Sequence, residues 1–493
     1  MSLNLIRESW IPVRDRSGNR RVIAPWQMAN AELLRPDWPR PDLNLACLEL
    51  LVGLIAIADP PANVEDWDDR RPADPDRLRE RLEAYAPAFE LTGDCPLFLQ
   101  DLAPLQGKPN PPGMLFIDSA GQQAARNNND LMVRRGRYEA LSPALAAMAL
   151  YTLQAHAPAG GAGNRTSMRG GGPMVTLVNP QQEQGLWPLV WANTPYGKAA
   201  DMNELPWMNP TPTSEKKGSE RWPRHGHPVE AFFGMPRRLQ LVERDGLIAG
   251  VIQRPLGINY AGWVHPLTPY YRVKEGAELL PRHPRAGRFG YRNWLGVVAD
   301  DGIGTTTQRA ETVQNWHERT MGAPADLVVA GWAMDNMKPL DFTWSSPPLV
   351  NLPEEATLFV RGLIDAADLF GRALGGALVP VLAEGEAREA VRERFFSESE
   401  STFENHLRAI DEEANRTAIA GQWVEDLRNV ALQLFEADAL PGLADRETSV
   451  QEHIVAAHRS LRNAFRGFGK SGAKAYDALE LEPVRHVTRK EAA

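Results

Sequence analysis

The stretch from Gly160 to Gly172 is dense in glycine. Glycines expose backbone N–H groups and allow another backbone to approach closely. Two chemistries use such a stretch. A nucleoside-triphosphate loop needs a Gly-Lys-Ser/Thr ending within a strand–loop–helix frame, and the sequence supplies neither. Contact with nucleic-acid phosphates or a groove needs only openness and nearby donors; Asn164, Arg165 and Arg169 stand beside the glycines. A flexible loop without any ligand has the same composition.

The other chemistry-bearing residues give no catalytic constellation. The ten histidines are scattered, and the close pair His225 and His227 has no carboxylate cluster at metal-ligand spacing. That pair reads as solvated loop histidines. His156 and His317 lack a paired Cys or Ser motif, and neither HExxH nor GxSxG occurs. The expectation is a protein without catalytic residues, metal or cofactor. An enzyme assembled from scattered His and Asp, such as a metal-dependent nuclease, remains the alternative, as does a general RNA-binding scaffold.

Basic residues interleave with amides and aromatics. Arg126, Arg134, Arg135 and Arg137 flank Asn127–Asn129; Lys216, Lys217, Arg221, Arg224, Arg237 and Arg238 accompany Trp222, Phe232 and Phe233. Arg272, Lys274, Arg282, Arg285, Arg288 and Arg292 follow, with Tyr270, Tyr271, Phe289 and Tyr291. Arg459, Arg462 and Arg466 are spaced to share a helix face, with Lys470 and Lys474 beyond. Cations neutralise phosphates and rings stack on unpaired bases, although each patch alone also fits a solvated surface. The net charge of −9 opposes a nucleic-acid binder only on average, because binding depends on local patches.

The elements that must hold these residues can be read from pattern. Leu43–Ala58 is an apolar helix ended by Asp59-Pro60. Asp74 caps a charged helix beginning at Pro75, and Ser142-Pro143 opens another that ends before the glycine stretch. Residues 113–139 read as a long loop. Met174–Val178, Leu239–Val242 and Leu247–Ile252 read as strands. Glu355–Ala373, Ala387–Phe396, Ser401–Phe435 and Ser449–Phe465 read as helices, with Ser401-Thr402-Phe403-Glu404 as a capping box. Trp423, Leu427, Val430 and Leu434 fall on one face. The expected class is α+β: a large mixed α/β domain over 1–350, then a four-helix bundle over 351–493. Two cysteines, Cys47 and Cys95, exclude a disulfide framework and fit a reducing cytoplasm. The N-terminus shows no signal-peptide stretch, and no membrane partner is expected.

A set of short motifs in fixed order then resembles one family. These are Ser9-Trp10-Ile11-Pro12-Val13, Cys95-Pro96-Leu97-Phe98-Leu99-Gln100, Asn128-Asn129-Asp130-Leu131-Met132, Ala140–Ala144, Gln154–Pro158 and Met334-Asp335-Asn336-Met337-Lys338. Together they resemble CasA, the large subunit of type I-E CRISPR Cascade surveillance complexes, over most of the chain.

The resemblance implies roles. The loop with Asn128, Asn129, Leu131, Met132 and Arg134 would anchor the chain at the crRNA 5′ handle. Ala159, Gly160, Gly161, Ala162 and Gly163 would approach the minor groove of the short duplex motif (PAM) beside the target, and Arg254 would reach the same groove where the family often has lysine. Asp335, Asn336 and Met337 would form a wedge that splits the first base pair, with Asn336 at the tip. Arg459, Arg462 and Arg466 would line a DNA path. The partners implied are crRNA, double-stranded target DNA, other Cascade subunits and a recruited helicase-nuclease. Some members carry a cysteine-rich cluster before the segment that matches Arg254; this chain has none there.

Overall fold

A computed structural model describes the whole chain except residues 1, 95, 120–125, 128–132, 135, 162, 301–305, 336–337, 350–351, 353, 412–414 and 485–493. Two compact units emerge, one of Met1–Ala286 with Gln308–Leu349, the other of Gly287–Thr307 with Val350–Ala493.

Two apolar helices, Pro41–Ala58 and Pro143–His156, pack against each other in the core of the first unit. Both place proline in the first turn, where its missing N–H costs nothing. The Ser142 hydroxyl accepts from the Leu145 N–H at 3.3 Å, and Asp74 caps Pro75–Glu83 by accepting from the Arg77 N–H at 3.0 Å. Pro41–Ala58 is long and apolar enough to cross a membrane by length and composition, yet it is almost wholly buried in this core.

Antiparallel sheets surround these helices. Ile11–Asp15 is flanked by Arg20–Ile23 and Leu33–Pro36; Ala325–Asp335 is flanked by Lys338–Ser345 and Val175–Pro180. Arg238–Arg244 and Leu247–Arg254 form a hairpin, turned by Asp245 and Gly246 at positive φ (54° and 76°), as a two-residue turn that matches strand twist requires. Antiparallel pairing throughout these strands fits the α+β class.

A buried charge organises this unit. Glu49, in the middle of the apolar Pro41–Ala58 helix, is 0% exposed. Burying a carboxylate is costly unless it is paired, and three distant stretches meet that demand. His156 Nε2 lies 2.5 Å from Glu49 Oε1, Arg169 Nη2 lies 2.7 Å from Oε2, and His265 Nε2 lies 3.8 Å from Oε2. His265 Nδ1 accepts from the Leu267 N–H at 3.1 Å, so its ring proton sits on Nε2, facing the carboxylate. Burial would push the Glu49 carboxyl up, but Arg169 and the His156 contact outweigh it and hold it at about 2. Burial, helped by Arg169, pushes His265 well below its ordinary 6.5, so it stays neutral.

The second unit is helical. Glu354–Ala377, Glu386–Arg408, Arg416–Ala439 and Thr448–Ala464 are its long helices, and Gly469–Ala478 adds a short one. Trp423 is fully buried and donates its indole N–H to the Leu363 carbonyl at 3.0 Å. Tyr291 stacks on Phe403 at 4.4 Å, lies 5.8 Å from Trp423, and its hydroxyl meets Ser399 Oγ at 2.8 Å. The segment Gly287–Thr307 thus joins the helices through Tyr291, with Trp294 edge-on to Phe403 at 5.5 Å. Leu427 and Leu434 share Trp423's buried face, while Val430 is only half-buried.

Two local readings need correction. Ser401 and Glu404 lie inside the continuous Glu386–Arg408 helix and form no N-terminal cap; the α-helix gives way to a 3-10 turn, Ala409–Asp411, only after Arg408. The buried Phe395, Phe396 and Phe403 hold the helix through that point, and packing overrides a weak capping preference. Arg466 lies beyond the end of Thr448–Ala464, so only Arg459 and Arg462 belong to that helix.

Three outcomes follow from these contacts. Glu49→Gln leaves Arg169 buried without its counter-charge and should cost roughly 3–5 kcal/mol of stability, read by denaturant unfolding; a loss below about 1 kcal/mol would remove Glu49 from its organising role. Because His265 titrates lower folded than unfolded, its contribution is complete above about pH 6.5 and is lost as pH falls below that value. Melting temperature should therefore drop below that pH, and His265→Gln should remove that part of the drop; identical profiles for the two proteins would contradict a neutral His265. Trp423→Ala should destabilise the helical unit by about 3–5 kcal/mol through lost packing, measured by the same unfolding experiment.

Candidate nucleic-acid interface

The chain leaves the Pro143–His156 helix with the Ala157 N–H bonded to the Leu153 carbonyl at 3.0 Å. A small loop then closes on itself. The Gly160 N–H donates to the Asn164 carbonyl at 3.0 Å, and the Asn164 side-chain amide donates to the Gly161 carbonyl at 2.9 Å. Both flanks of this loop are pinned by the Glu49 cluster, His156 before it and Arg169 after it. The Gly172 N–H also returns to the His156 carbonyl at 3.0 Å.

The three described glycines of the loop have different physical reasons. Gly163 has φ +79°, and a Cβ there would meet the Leu256 side chain at 3.0 Å; a side chain would be strained in that conformation. At Gly160 a Cβ would meet Arg237 Nη1 and Asn164 Cβ, each at 2.8 Å. Gly161 is exposed, its φ lies outside the positive range, and a Cβ would meet nothing within 4 Å. No contact in the described structure demands glycine at 161. Ala159 is exposed beside it, and Ala162 lies outside the described residues.

Arg254 is brought to this loop by the hairpin. It is the last residue of Leu247–Arg254 and pairs in register with Arg238. Arg238 is neutralised by Asp101 at 2.6 Å, whereas Arg254 is exposed and has no ion pair among the described residues. Just beyond Arg254, the Leu256 N–H donates to the Gly163 carbonyl at 2.9 Å, and the Gln253 amide donates to Asn164 Oδ1 at 3.0 Å. Arg254 and the glycine loop are therefore neighbours.

The strand Ala325–Asp335 reaches the same region from another side. A Cβ at Gly172, whose φ is +61°, would meet Trp332 Cβ at 2.8 Å and Met334 Cε at 3.0 Å. Asp335 is exposed and pairs with Lys338 across the hairpin end. Asn336 and Met337, between them, lie outside the described residues, as do Asn128, Asn129, Leu131 and Met132 of the expected crRNA-handle loop. Arg134 is exposed.

Many of the arginines counted as basic patches are internal fasteners. Arg137 grips Asp118 with two hydrogen bonds, at 2.9 and 2.8 Å, beside Tyr138. Arg221 pairs with buried Glu230 at 2.6 Å, and Arg292 with Glu389 at 3.2 Å. Arg165 donates to Ser214 Oγ at 2.7 Å, so the arginines beside the glycine stretch face inward. Lys216, Lys217, Lys274 and Arg285 remain exposed. Arg459 and Arg462 are exposed too, while Arg466 donates to the Val484 carbonyl at 3.2 Å and lies over Phe468. No three His, Cys, Asp or Glu side chains converge at metal-binding distance among the described residues.

Sequence reasoning missed Glu49, and with it the inward roles of His156 and Arg169. The signal was present: a lone carboxylate in an otherwise apolar helix must find buried partners.

Comparison with known proteins gives the lineage. The pattern of the CRISPR-associated protein Cse1 family matches residues 4–434. The fold is similar to CasA of Thermus thermophilus, with TM-score 0.73 at 19% identity over 94% of this chain and 99% of that one. It is similar to Cse1 of Acidimicrobium ferrooxidans, with TM-score 0.69 at 19% identity over 97% and 99%. A chain of a CRISPR RNA-guided surveillance complex matches with TM-score 0.69 at 16% identity over 94% and 99%. CasA and Cse1 are two names for one protein in a Thermus thermophilus structure, so the likeness read from the sequence and the family match agree. A glycine loop pinned by a buried charge, on a fold shared with these structures, thus sits in a chain that belongs to the CRISPR-associated protein Cse1 family.

Proposed function

We propose that this chain is the large subunit of a type I-E Cascade complex and grips the PAM duplex through its glycine loop and Arg254. The carrying observation is Gly161: open, unstrained and, among the described residues, unexplained by any internal contact, near an exposed arginine that has no ion pair among them. A residue kept bare without an internal reason suits close approach by another molecule. The minor groove is narrow and offers mainly acceptors, which a cationic donor suits. Arg and Lys differ in donor geometry, so Arg254 would give this chain its own PAM tolerance.

In this reading the hairpin end at Asp335, Asn336 and Met337 wedges the duplex below the PAM, and the loop with Asn128, Asn129, Leu131, Met132 and Arg134 holds the crRNA 5′ handle. Arg459 and Arg462 contribute a basic path for DNA. Opening the duplex costs stacking of about 1.4 kcal/mol per step, which guide pairing roughly returns, so a wedge and a grip suffice. DNA cutting falls to a helicase-nuclease docked on the complex.

The test is a PAM-library binding assay on the complex assembled with crRNA and the other subunits. Gly161→Val and Arg254→Ala should leave melting temperature nearly unchanged, being exposed positions. Each should weaken PAM-dependent binding about tenfold or more, the scale of a lost groove contact. Parental affinity in both variants would overturn the assignment.

A further inference from the structure

Among the described residues, Arg237 is a buried cation that lies against the glycine loop with one guanidinium N–H unpartnered. It is 7% exposed, and no carboxylate pairs with it among the described residues. Its Nη2 donates to the Pro158 carbonyl, and its Nε is enclosed without a hydrogen-bond partner. Its Nη1 faces Gly160, where a Cβ would come within 2.8 Å. Burial lowers its pKa to about 10, with no acid to offset the loss, yet it remains charged at neutral pH. The Arg237 backbone is fixed from both sides by Gln154, which accepts from its N–H at 3.1 Å and donates to its carbonyl at 3.0 Å. The neighbouring Arg238 has its own acid in Asp101. The chain therefore holds a buried positive charge against the glycine loop, on a fixed backbone, and among the described residues the Pro158 carbonyl is the acceptor it meets.

We propose that the missing counter-charge of Arg237 is a backbone phosphate of the bound duplex, seated on the glycine loop at Gly160–Gly161. This rests on the duplex-binding reading above and adds an anchor to it. Gly160 is bare so that the guanidinium can lie directly against the loop backbone; Gly161 is bare so that the nucleic acid can. A charge in a low-dielectric setting acts on a nearby phosphate more strongly than an exposed lysine does, and a phosphate contact fixes position without reading sequence.

The experiment uses the assembled complex and a target duplex with its preferred PAM, titrated over a range of salt. Arg237→Met, which keeps the aliphatic bulk, should weaken binding about tenfold and lower the slope of log affinity against log salt by about one. The ranking of PAM sequences should stay as in the parent. Arg237→Lys, which keeps the charge, should retain most of the slope. A folded, assembled Arg237→Met complex with parental affinity and slope overturns the inference. Should that variant fail to assemble, the parent complex decides: replacing single PAM-proximal phosphates by neutral methylphosphonates should reveal one position with the same tenfold loss, and no sensitive position refutes it. Loss in Gly161→Val and Arg254→Ala without loss in Arg237→Met removes only the phosphate anchor. Parental binding in all three removes the duplex-binding reading itself.

Discussion

A single buried carboxylate ties the first unit together. Glu49 cannot stay charged in an apolar helix without compensation, and its partners come from the end of one core helix, from the segment after the glycine loop and from a loop around His265. Any packing that separates these stretches leaves a charge stranded. The cluster therefore specifies which parts of the chain meet, more than it adds net stability. Its consequence for the interface is geometric. Both flanks of the glycine loop are held by His156 and Arg169, while Gly161 between them stands open. A firm base with a bare tip is what approach by a rigid duplex requires, since ordering the loop on binding would otherwise weaken the association.

The charge distribution resolves an apparent contradiction. A chain with net charge −9 is a poor general ligand for nucleic acid, and several of the arginines that cluster in sequence are spent on acids of the chain itself: Arg137 on Asp118, Arg221 on Glu230, Arg238 on Asp101. Among the described residues, the cations at the candidate interface are sparse, an exposed Arg254 and a buried Arg237. Sparse cations at a shaped surface favour a specific, register-fixing contact over diffuse attraction along any duplex. Under the proposed function, such a surface suits a subunit that samples short motifs and delegates sequence reading to guide pairing.

The helical unit follows a different logic. Its centre is an aromatic cluster of Tyr291, Trp294, Phe403 and Trp423, large rings that bury much apolar surface and give the polar ends of Tyr291 and Trp423 hydrogen-bond partners in Ser399 and Leu363. Two of the four rings come from a segment about a hundred residues upstream of the helices they fill. The same cluster explains why the helix runs through Ser401 and Glu404: Phe403 must reach the centre, and a helical turn delivers it.

Local chemistry and tertiary packing account for different residues of this protein. Helix starts at Pro75 and Pro143, the stop at Asp59-Pro60, the strands around Leu239 and Leu247 and the family itself were legible from the sequence, because proline geometry, capping oxygens and hydrophobic period act over a few residues. The glycine stretch was legible as one of several readings, but Arg254 and the choice of groove contact over flexible loop came only through the resemblance to the family, since nothing local distinguishes a ligand-facing glycine from a flexible one. Their adjacency, the Glu49 cluster, the inward turn of Arg165 and Arg169, the uncompensated Arg237 and the recruitment of Tyr291 to the helices belonged to tertiary structure alone. Each depends on which distant side chains share a low-dielectric space, and pairwise burial over a hundred residues leaves no periodic trace in the chain.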